Sequence, residues 1–347
     1  MNLNAIWQVA KSGRMGALRS LAGVMSEYTR ACFLVAAAHA GVLRSLAGGP
    51  LSPEQLAARL GAQAGVQAEL AAWLDVGVSV GELGVGPRGY RLEGALARAL
   101  ADAENDDVLA MLEELTDLHH RLVFDAPGLV QRSERLSLSD QRGDVVARSS
   151  RMLEPFVRAA LERVVPKRGA FRVLEVGCGS GTYLRHMTEQ NPELQAVGLE
   201  LQPVVAEQAR ENLRRWGVSQ RADVCTEDVR DRKPDGSFDL VTLHNNIYYF
   251  RVDDRAQLLA HLRGFLRPRG TLLCTTATRG GSPSVSVLNL WGALTEGCGP
   301  LPTPEELCAT LRQAGFADAS SENLAAPFEQ FHAFYATRQE RGSDASP

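Results

Sequence analysis

The sequence lacks a long apolar run, closely spaced cysteine pairs and an excess of positive charge. No stretch of the 347 residues approaches the roughly 18–20 apolar residues of a membrane-spanning helix. The N-terminal region lacks the apolar core and small-residue cleavage site of a secretory leader. A net charge of −4 and a pI of about 6.0 disfavour a large nucleic-acid-binding surface. We therefore expect a protein that binds neither membrane nor nucleic acid.

The six cysteines are scattered and form no C-x-x-C motif. This pattern predicts reduced, mostly buried thiols and a cytoplasmic location. Cys178 lies inside a glycine-rich stretch, where its small side chain is interpreted as packing rather than as a catalytic thiol.

A strand, a glycine turn and a helix follow one another from residue 171. The run FRVLEVGCGSG (171–181) is apolar and then breaks at Gly177, Gly179 and Gly181, and a helical pattern begins at Thr182. Glycines let the backbone turn tightly and let a ligand approach the main chain. The helix that follows presents free N–H groups to that ligand. The glycines alone fit a nicotinamide, flavin or adenosyl ligand equally well.

Two further acids narrow the choice of ligand. Glu200 ends the strand-like run LQAVGLE, where a carboxylate suits the hydroxyl groups of a ribose. Asp228 follows a third strand-like run at 222–225. The spacing of the glycines departs from G-x-G-x-x-G because Thr182 stands where a third small residue is needed. The alternative interpretation is that Glu175, Glu200 and Asp228 are ordinary strand-end acids.

From residue 171 onward, strand-like and helix-like segments alternate, which predicts a parallel sheet with helices on both faces. A late reversed hairpin over 318–324 and 330–337 completes seven strands. The other predicted strands are 171–176, 194–200, 221–225, 238–243 and 270–277, and the predicted helices are 182–190, 203–216, 253–267 and 304–315. Residues 280–303 are expected to form a long functional loop.

Residues 1–150 are mostly helical by composition, with a β-wing at 83–92. Ser52 and Pro53 mark a helix start, and a second helix is predicted at 66–76. Helix, turn, helix and wing form a winged-helix layout that suggests DNA binding. The charge argues against it, because no Lys or Arg occurs between Arg59 and Arg88.

The run E-x-G-x-G-x-G, with Glu200 and Asp228, resembles the class I S-adenosylmethionine (SAM) methyltransferases. The N-terminal region resembles the degenerate winged-helix domain that small-molecule O-methyltransferases use to dimerise. The resemblance implies a winged-helix-like domain (1–150), a Rossmann-like seven-stranded SAM domain (151–338), a disordered tail (339–347) and a homodimer. It implies that SAM binds at Glu175, Gly177, Gly179, Gly181, Tyr183, Glu200, Leu201, Asp228, Val229 and His244.

The acceptor is expected beside LHNNIYYF (243–250), which follows the fourth strand and is dense in polar and aromatic residues. His244 is the candidate proton acceptor or orienting group, with Tyr249 as a second catalytic candidate. Asn245, Tyr248 and Trp291 are the candidate substrate contacts, and Leu288 is a further candidate wall. In phenolic O-methyltransferases the base is a His nearer the next helix, where this sequence has Tyr249. No metal site is predicted, although His244, His332 and an acid could meet in space.

We therefore expect an enzyme that transfers a methyl group from SAM to a small-molecule acceptor. O-methylation of a hydroxylated aromatic or secondary metabolite is favoured. The alternatives are C- or N-methylation, for example C-methylation of an α-keto acid, and a SAM-fold binding protein without transferase activity. The paired histidines His119 and His120 are interpreted as surface residues, or as part of a substrate wall.

Overall fold

A computed structural model describes residues 7–8, 11–63 and 65–340. These residues divide into two compact units. The first comprises the described residues up to 120 together with 142–152, and the second comprises 121–141 together with 153–340. The boundary predicted at residue 150 places 121–141 in the first unit, whereas in the structure these residues group with the second. Residues 341–347 of the predicted tail lie outside the described residues. No helix among the described residues is long and apolar enough to cross a membrane.

The first unit is helical and carries one small hairpin. Ser52 caps its third helix through a capping box with Gln55. Two antiparallel strands, β1 (Leu83–Gly86) and β2 (Gly89–Leu92), form the predicted wing. The helices are α1 (Met15–His39), α2 (Val42–Leu46), α3 (Pro53–Arg59), α4 (Gln67–Ser79), α5 (Ala95–Leu100), α6 (Asp106–Glu113) and α8 (Gly143–Ser149).

The core of the first unit is made of leucines contributed by successive helices. Leu34, Leu43, Leu56 and Leu74 are fully buried against one another and the wing. Removing such side chains from water is the main stabilising contribution to a helical domain of this kind. In α4, Asp75 accepts a hydrogen bond from the Tyr90 hydroxyl at 2.7 Å. Asp75 therefore serves the fold, and it gives this helix no attraction for phosphates.

The second unit is built on a seven-stranded sheet in the order β5-β4-β3-β6-β7-β9-β8. The first five strands are parallel, and β9 is antiparallel to both β7 and β8. The strands are β3 (Phe171–Val176), β4 (Leu194–Glu200), β5 (Ala222–Thr226), β6 (Phe238–His244), β7 (Leu266–Ala277), β8 (Ala317–Asn323) and β9 (Phe331–Thr337). The predicted α/β fold class, including the late reversed hairpin, is confirmed.

The second unit also contains helices, some of which cover the two faces of this sheet. They are α7 (His120–Arg132), α9 (Glu154–Val164), α10 (Thr182–Gln190), α11 (Pro203–Arg215), α12 (Val252–Phe265), α13 (Pro283–Leu294) and α14 (Pro304–Gln313). Side chains alternate between the faces along each strand. Val173 faces α9–α11, Leu174 faces α12 and α14, and Glu175 therefore lies on the α9–α11 face.

The expectation of a long loop over 280–303 is wrong for its central half. Residues 283–294 form α13, which begins where the Ser282 hydroxyl accepts a hydrogen bond from the Val285 amide and Pro283 occupies the first turn. The Glu329 carboxylate also accepts from the Ser282 amide at 3.0 Å. This second contact comes from a residue 47 positions away, so local sequence gave no sign of it.

Candidate active site

The glycine turn lies at the carboxyl end of β3, where ligands bind in open parallel sheets. Gly177, Gly179 and Gly181 have φ of +67°, +53° and +80°, which favour glycine. A Cβ on Gly179 would meet no atom within 4 Å, so open space lies beside its backbone. A Cβ on Gly177 would lie 2.3 Å from Asn246 Nδ2. Close approach of a ligand is therefore expected at Gly179, whereas at Gly177 the space belongs to a neighbouring side chain.

Glu200 is tied to the same turn from the end of β4. Its Oε2 accepts a hydrogen bond from the Gly179 amide at 3.1 Å, and its Oε1 accepts from the Gln202 amide at 3.0 Å. Both carboxylate oxygens are thus fixed by backbone donors, and each retains a second lone pair for a hydroxyl. Glu200, which is predicted to accept hydrogen bonds from the ribose hydroxyls, is therefore held rigidly beside the glycine turn. Leu201, also predicted to contact the cofactor, is exposed beside it.

Glu175 is a buried carboxyl group, 1% exposed, two residues before the turn. Its Oε2 has no hydrogen-bond partner within the described part of the chain. Burial, reinforced by the nearby Glu200 charge, raises the pKa of Glu175 well above its usual value. An orphaned buried carboxyl group next to an open glycine turn fits a ligand that carries a positive charge.

Asp228, at the end of the β5 segment, is held by Arg230. The Arg230 Nε donates to both carboxylate oxygens of Asp228 at 3.0 Å. This guanidinium holds the pKa of Asp228 below its usual value. Asp228 therefore stays ionised, and its carboxylate, held in place by Arg230, can accept a hydrogen bond from an amino group. Val229, the next predicted contact, is buried.

His244 ends β6 on the sheet face that carries Glu175. Its Nδ1 lies 2.9 Å from Thr275 Oγ1, and the ring packs edge-on against Tyr183 at 4.9 Å between centroids. Its Nε2 has no hydrogen-bond partner among the described residues. Burial lowers the pKa of His244 to about 3, so the imidazole is neutral near pH 7. Burial also raises the pKa of the Tyr183 hydroxyl above its usual value.

Two of the three predicted substrate contacts, Tyr248 and Trp291, come together with Tyr249 in one aromatic cluster. Tyr248 and Tyr249 stack with centroids 4.9 Å apart, and Trp291 of α13 packs edge-on against them at 6.2 and 5.5 Å. Leu288 packs against the same group. Asn245 adopts φ +52° and donates its backbone N–H to the Thr275 carbonyl at 2.7 Å. The cluster is an apolar group of aromatic side chains that also packs against Ala277, at the end of β7.

The other singled-out residues do not join this cluster. His332 Nδ1 lies 3.0 Å from Thr278 Oγ1, and His119 Nε2 lies 3.5 Å from Glu114 Oε2 in the first unit. Burial raises the pKa of the Cys178 thiol above its usual value, so it stays protonated. Among the residues that the structure describes, no group of three His, Cys, Asp or Glu side chains is arranged to hold a metal ion.

Two residues that contact this site were not assigned from the sequence. Thr275 fixes His244, and the register of β6 with β7 places them opposite each other. Asn246 contacts the glycine turn through its side chain. Asn246 lies within the segment singled out for its polar residues, but only the fold shows which strand end it reaches.

Comparisons with known proteins show similarity to methyltransferases over part of the chain. Residues 174–272 match the family model of a methyltransferase domain. Demethylspheroidene O-methyltransferase of Rhodobacter capsulatus is 28% identical over 169 residues, 48% of this chain and 41% of that protein. The chain spans about two fifths of the length of the first curated relatives it matches.

Solved structures show the same fold over nearly the whole chain. The mitomycin 7-O-methyltransferase MmcR superposes with a TM-score of 0.76 at 21% identity, covering 94% of this chain and 99% of that one. Human N-acetylserotonin methyltransferase in complex with SAM gives 0.74 at 19% identity, covering 93% and 98%. The predicted fold and the resemblance to class I SAM methyltransferases are confirmed.

Proposed function

We propose that this protein transfers a methyl group from SAM to a small-molecule acceptor, with O-methylation as the reaction. The observation that carries the proposal is the glycine turn, which is open at Gly179 and whose Gly179 amide donates to Glu200. Beside it lies the buried Glu175, whose Oε2 has no hydrogen-bond partner among the described residues. The match of residues 174–272 to a methyltransferase domain supports it. The relative and the structural neighbour named above as O-methyltransferases support the choice of an oxygen acceptor.

The residues of the turn fit SAM group by group. Glu175 would pair with the ammonium group, Glu200 would accept from the ribose hydroxyls, and Asp228 would accept from the adenine amino group. Tyr183, Leu201, Val229 and His244 complete the proposed lining. When bound, SAM supplies an activated methyl group on a sulfonium, so the protein need only bind, align and desolvate the acceptor.

We propose that the aromatic cluster of Tyr248, Tyr249 and Trp291 positions the acceptor. A planar apolar wall excludes water and limits the orientations that the acceptor can take. His244, neutral and fixed by Thr275, orients the acceptor through its free Nε2 rather than storing a proton. Tyr249 and Asn245 supply the polar contacts at the edge of this wall.

We further propose a homodimer formed through α1. Leu18, Leu21, Val24, Met25 and Tyr28 are about half or more exposed, and their spacing places them on one side of the helix. An exposed apolar stripe of this length is the kind of surface that a second copy of the chain covers. A cytoplasmic location is proposed from the six scattered cysteines.

The test of cofactor binding is titration calorimetry with SAM on Glu200→Ala. Losing charge-assisted hydrogen bonds to the ribose, worth about 1.5–3 kcal/mol each, should weaken binding by at least about tenfold. Glu193→Ala is the matched control, because that carboxylate also accepts a backbone bond, from Gly169 at 2.8 Å. Equal affinity of Glu200→Ala and wild type would refute the assignment of the turn to SAM.

Transfer is tested separately from binding. Methyl-labelled SAM is incubated with the protein and panels of phenols, aliphatic alcohols, α-keto acids and amines, and label in the acceptor is measured. Label in hydroxylated acceptors is expected. Label only in α-keto acids or amines would refute O-methylation, and SAM binding with no label in any acceptor would favour a binding protein without transferase activity.

A further inference from the structure

Asn246 bridges the two segments that the proposed function assigns to cofactor and acceptor. Its Nδ2 donates to the Val176 carbonyl at 3.1 Å and lies 3.4 Å from the Gly177 carbonyl. These carbonyls belong to the last residue of β3 and the first residue of the glycine turn. The contact joins residues 70 positions apart in sequence, so it is a feature of the assembled fold.

The side chain of Asn246 gives a second reason, besides the φ of +67°, for glycine at residue 177. A Cβ at this position would lie 2.3 Å from Asn246 Nδ2 and 3.0 Å from its Cγ. Real Cβ atoms do not approach other heavy atoms so closely, so the amide fills the volume that any other residue would need. Gly177 and Asn246 are therefore interlocked, whereas the space beside Gly179 is open.

The backbone of Asn246 holds the other segment. Its carbonyl accepts a hydrogen bond from the Tyr249 amide at 3.0 Å, which closes the short turn Ile247–Tyr249. Ile247, the next residue, is fully buried and anchors this turn in the core. One residue thus contacts the glycine turn through its side chain and the aromatic cluster through its main chain.

We propose that Asn246 is a positioning residue that couples the glycine turn to the aromatic acceptor wall. Occupancy of the turn by the cofactor restrains the Gly177 carbonyl, and the Asn246 amide passes this restraint to Tyr248 and Tyr249. The acceptor wall is then ordered when the cofactor is bound, which gives positive coupling between the two ligands. This inference rests on the proposed function.

Hydrogen exchange with S-adenosylhomocysteine as the probe tests the coupling. In the wild type, the probe is expected to slow amide exchange both in 179–183 and in 247–250. In Asn246→Ala, slowing in 179–183 should persist while slowing in 247–250 falls at least fivefold. Asn105→Ala is the matched control, because that amide also donates to a backbone carbonyl, of Ala99 at 3.0 Å in the first unit.

The interlock is tested by a double-mutant cycle, with affinity for the same probe as the readout. Gly177→Ala should weaken binding at least tenfold in the wild-type background and by a clearly smaller factor in Asn246→Ala, where the clash is absent. Thermal unfolding verifies that each variant is folded. If Asn246→Ala is unfolded, Asn246→Ser, which keeps a shorter hydrogen-bonding side chain, takes its place in both experiments.

The outcomes separate this inference from the proposed function. Failure of the folded wild type to bind the probe refutes the proposed function. Binding with equal slowing at 247–250 in wild type and variant, or an unchanged effect of Gly177→Ala in the two backgrounds, overturns the role of Asn246 alone. Binding by the wild type without any slowing at 247–250 overturns it as well.

Discussion

At the scale of single residues, the site is defined by what burial does to ionisable groups. Glu175 and His244 lie on the same sheet face, on the adjacent strands β3 and β6. Burial favours the neutral form of each, as it raises the pKa of the acid and lowers that of the imidazole. In the free site both side chains are therefore neutral, whereas Glu175 at its ordinary pKa would be a carboxylate.

Cofactor binding should release a proton from Glu175. An ammonium group stabilises the carboxylate, so the bound site holds fewer protons than the free site and affinity rises with pH until the pKa of the free site is passed. Calorimetry of S-adenosylhomocysteine binding in two buffers of different ionisation enthalpy measures this release. It should vanish in Glu175→Gln and persist in Glu189→Gln, an exposed carboxylate paired with Arg185. Equal binding enthalpies in both buffers for the wild type would contradict the prediction.

The rate of methyl transfer should show no titration of His244 between pH 5 and 9. A group whose pKa is lowered to about 3 is neutral throughout this range, so it adds no acid limb to the rate profile. His244→Gln should lower kcat by about tenfold through lost orientation, less than the roughly 10²–10⁴-fold of a lost general base.

The comparison variant for His244 is His332→Gln, whose imidazole also contacts a threonine hydroxyl. A limb with a midpoint near pH 6–7 that disappears only in His244→Gln would show that His244 is the proton acceptor after all.

At the scale of elements, the alternating strands and helices of the second unit could be predicted because each carries a strong periodic pattern. The strand predictions at 171–176 and 194–200 agree with β3 and β4 to the residue. By contrast, the sequence predicts a loop where the structure has α13. Its run SVSVLNLWGAL has apolar residues on all sides, so periodicity gives little signal. Its N-terminus also depends on Glu329, distant in sequence.

The residues of the candidate site also fall into two groups, those that the sequence could predict and those that it could not. Motif residues such as Gly179 and Glu200 could be predicted because they follow strand ends, and strand ends of a parallel sheet converge. The partners of these residues could not. Thr275 on His244 and Asn246 on Gly177 join different strand ends, for which one sequence gives no register. Arg230 on Asp228 is a local contact between residues two positions apart, and the sequence does not show that the arginine side chain turns back onto this acid.

Helix α13 should determine acceptor affinity through Trp291. Trp291→Ala removes two edge-to-face contacts, with Tyr248 and Tyr249, each worth about 0.5–1.5 kcal/mol beyond area burial. The acceptor KM should rise about tenfold. SAM affinity should stay unchanged, because Trp291 packs against Tyr248 and Tyr249 rather than against the glycine turn. Trp216→Ala, at the end of α11, controls for general destabilisation. An unchanged acceptor KM would remove Trp291 from the substrate wall.

At the scale of the whole molecule, the two units have different chemistry to perform. The second unit holds every residue that we assign to SAM or to the acceptor. The first unit has its own leucine core, and its α4 presents acids where a DNA-binding helix would present cations. What the first unit does expose is the apolar stripe of α1, so assembly is the role that its surface supports.

A single charge in this stripe should therefore produce monomers. Met25 is 61% exposed in one chain, and a glutamate there would have to be buried without a partner in the proposed dimer, which is strongly unfavourable. Sedimentation velocity at micromolar concentration should show a dimer for the wild type and a monomer for Met25→Glu. Ser26→Glu adds the same charge at the neighbouring exposed position of α1 and should remain dimeric, since it lies beside the stripe. A monomeric wild type would refute the dimer, and monomers from both variants would show that charge on α1, rather than its apolar stripe, controls assembly.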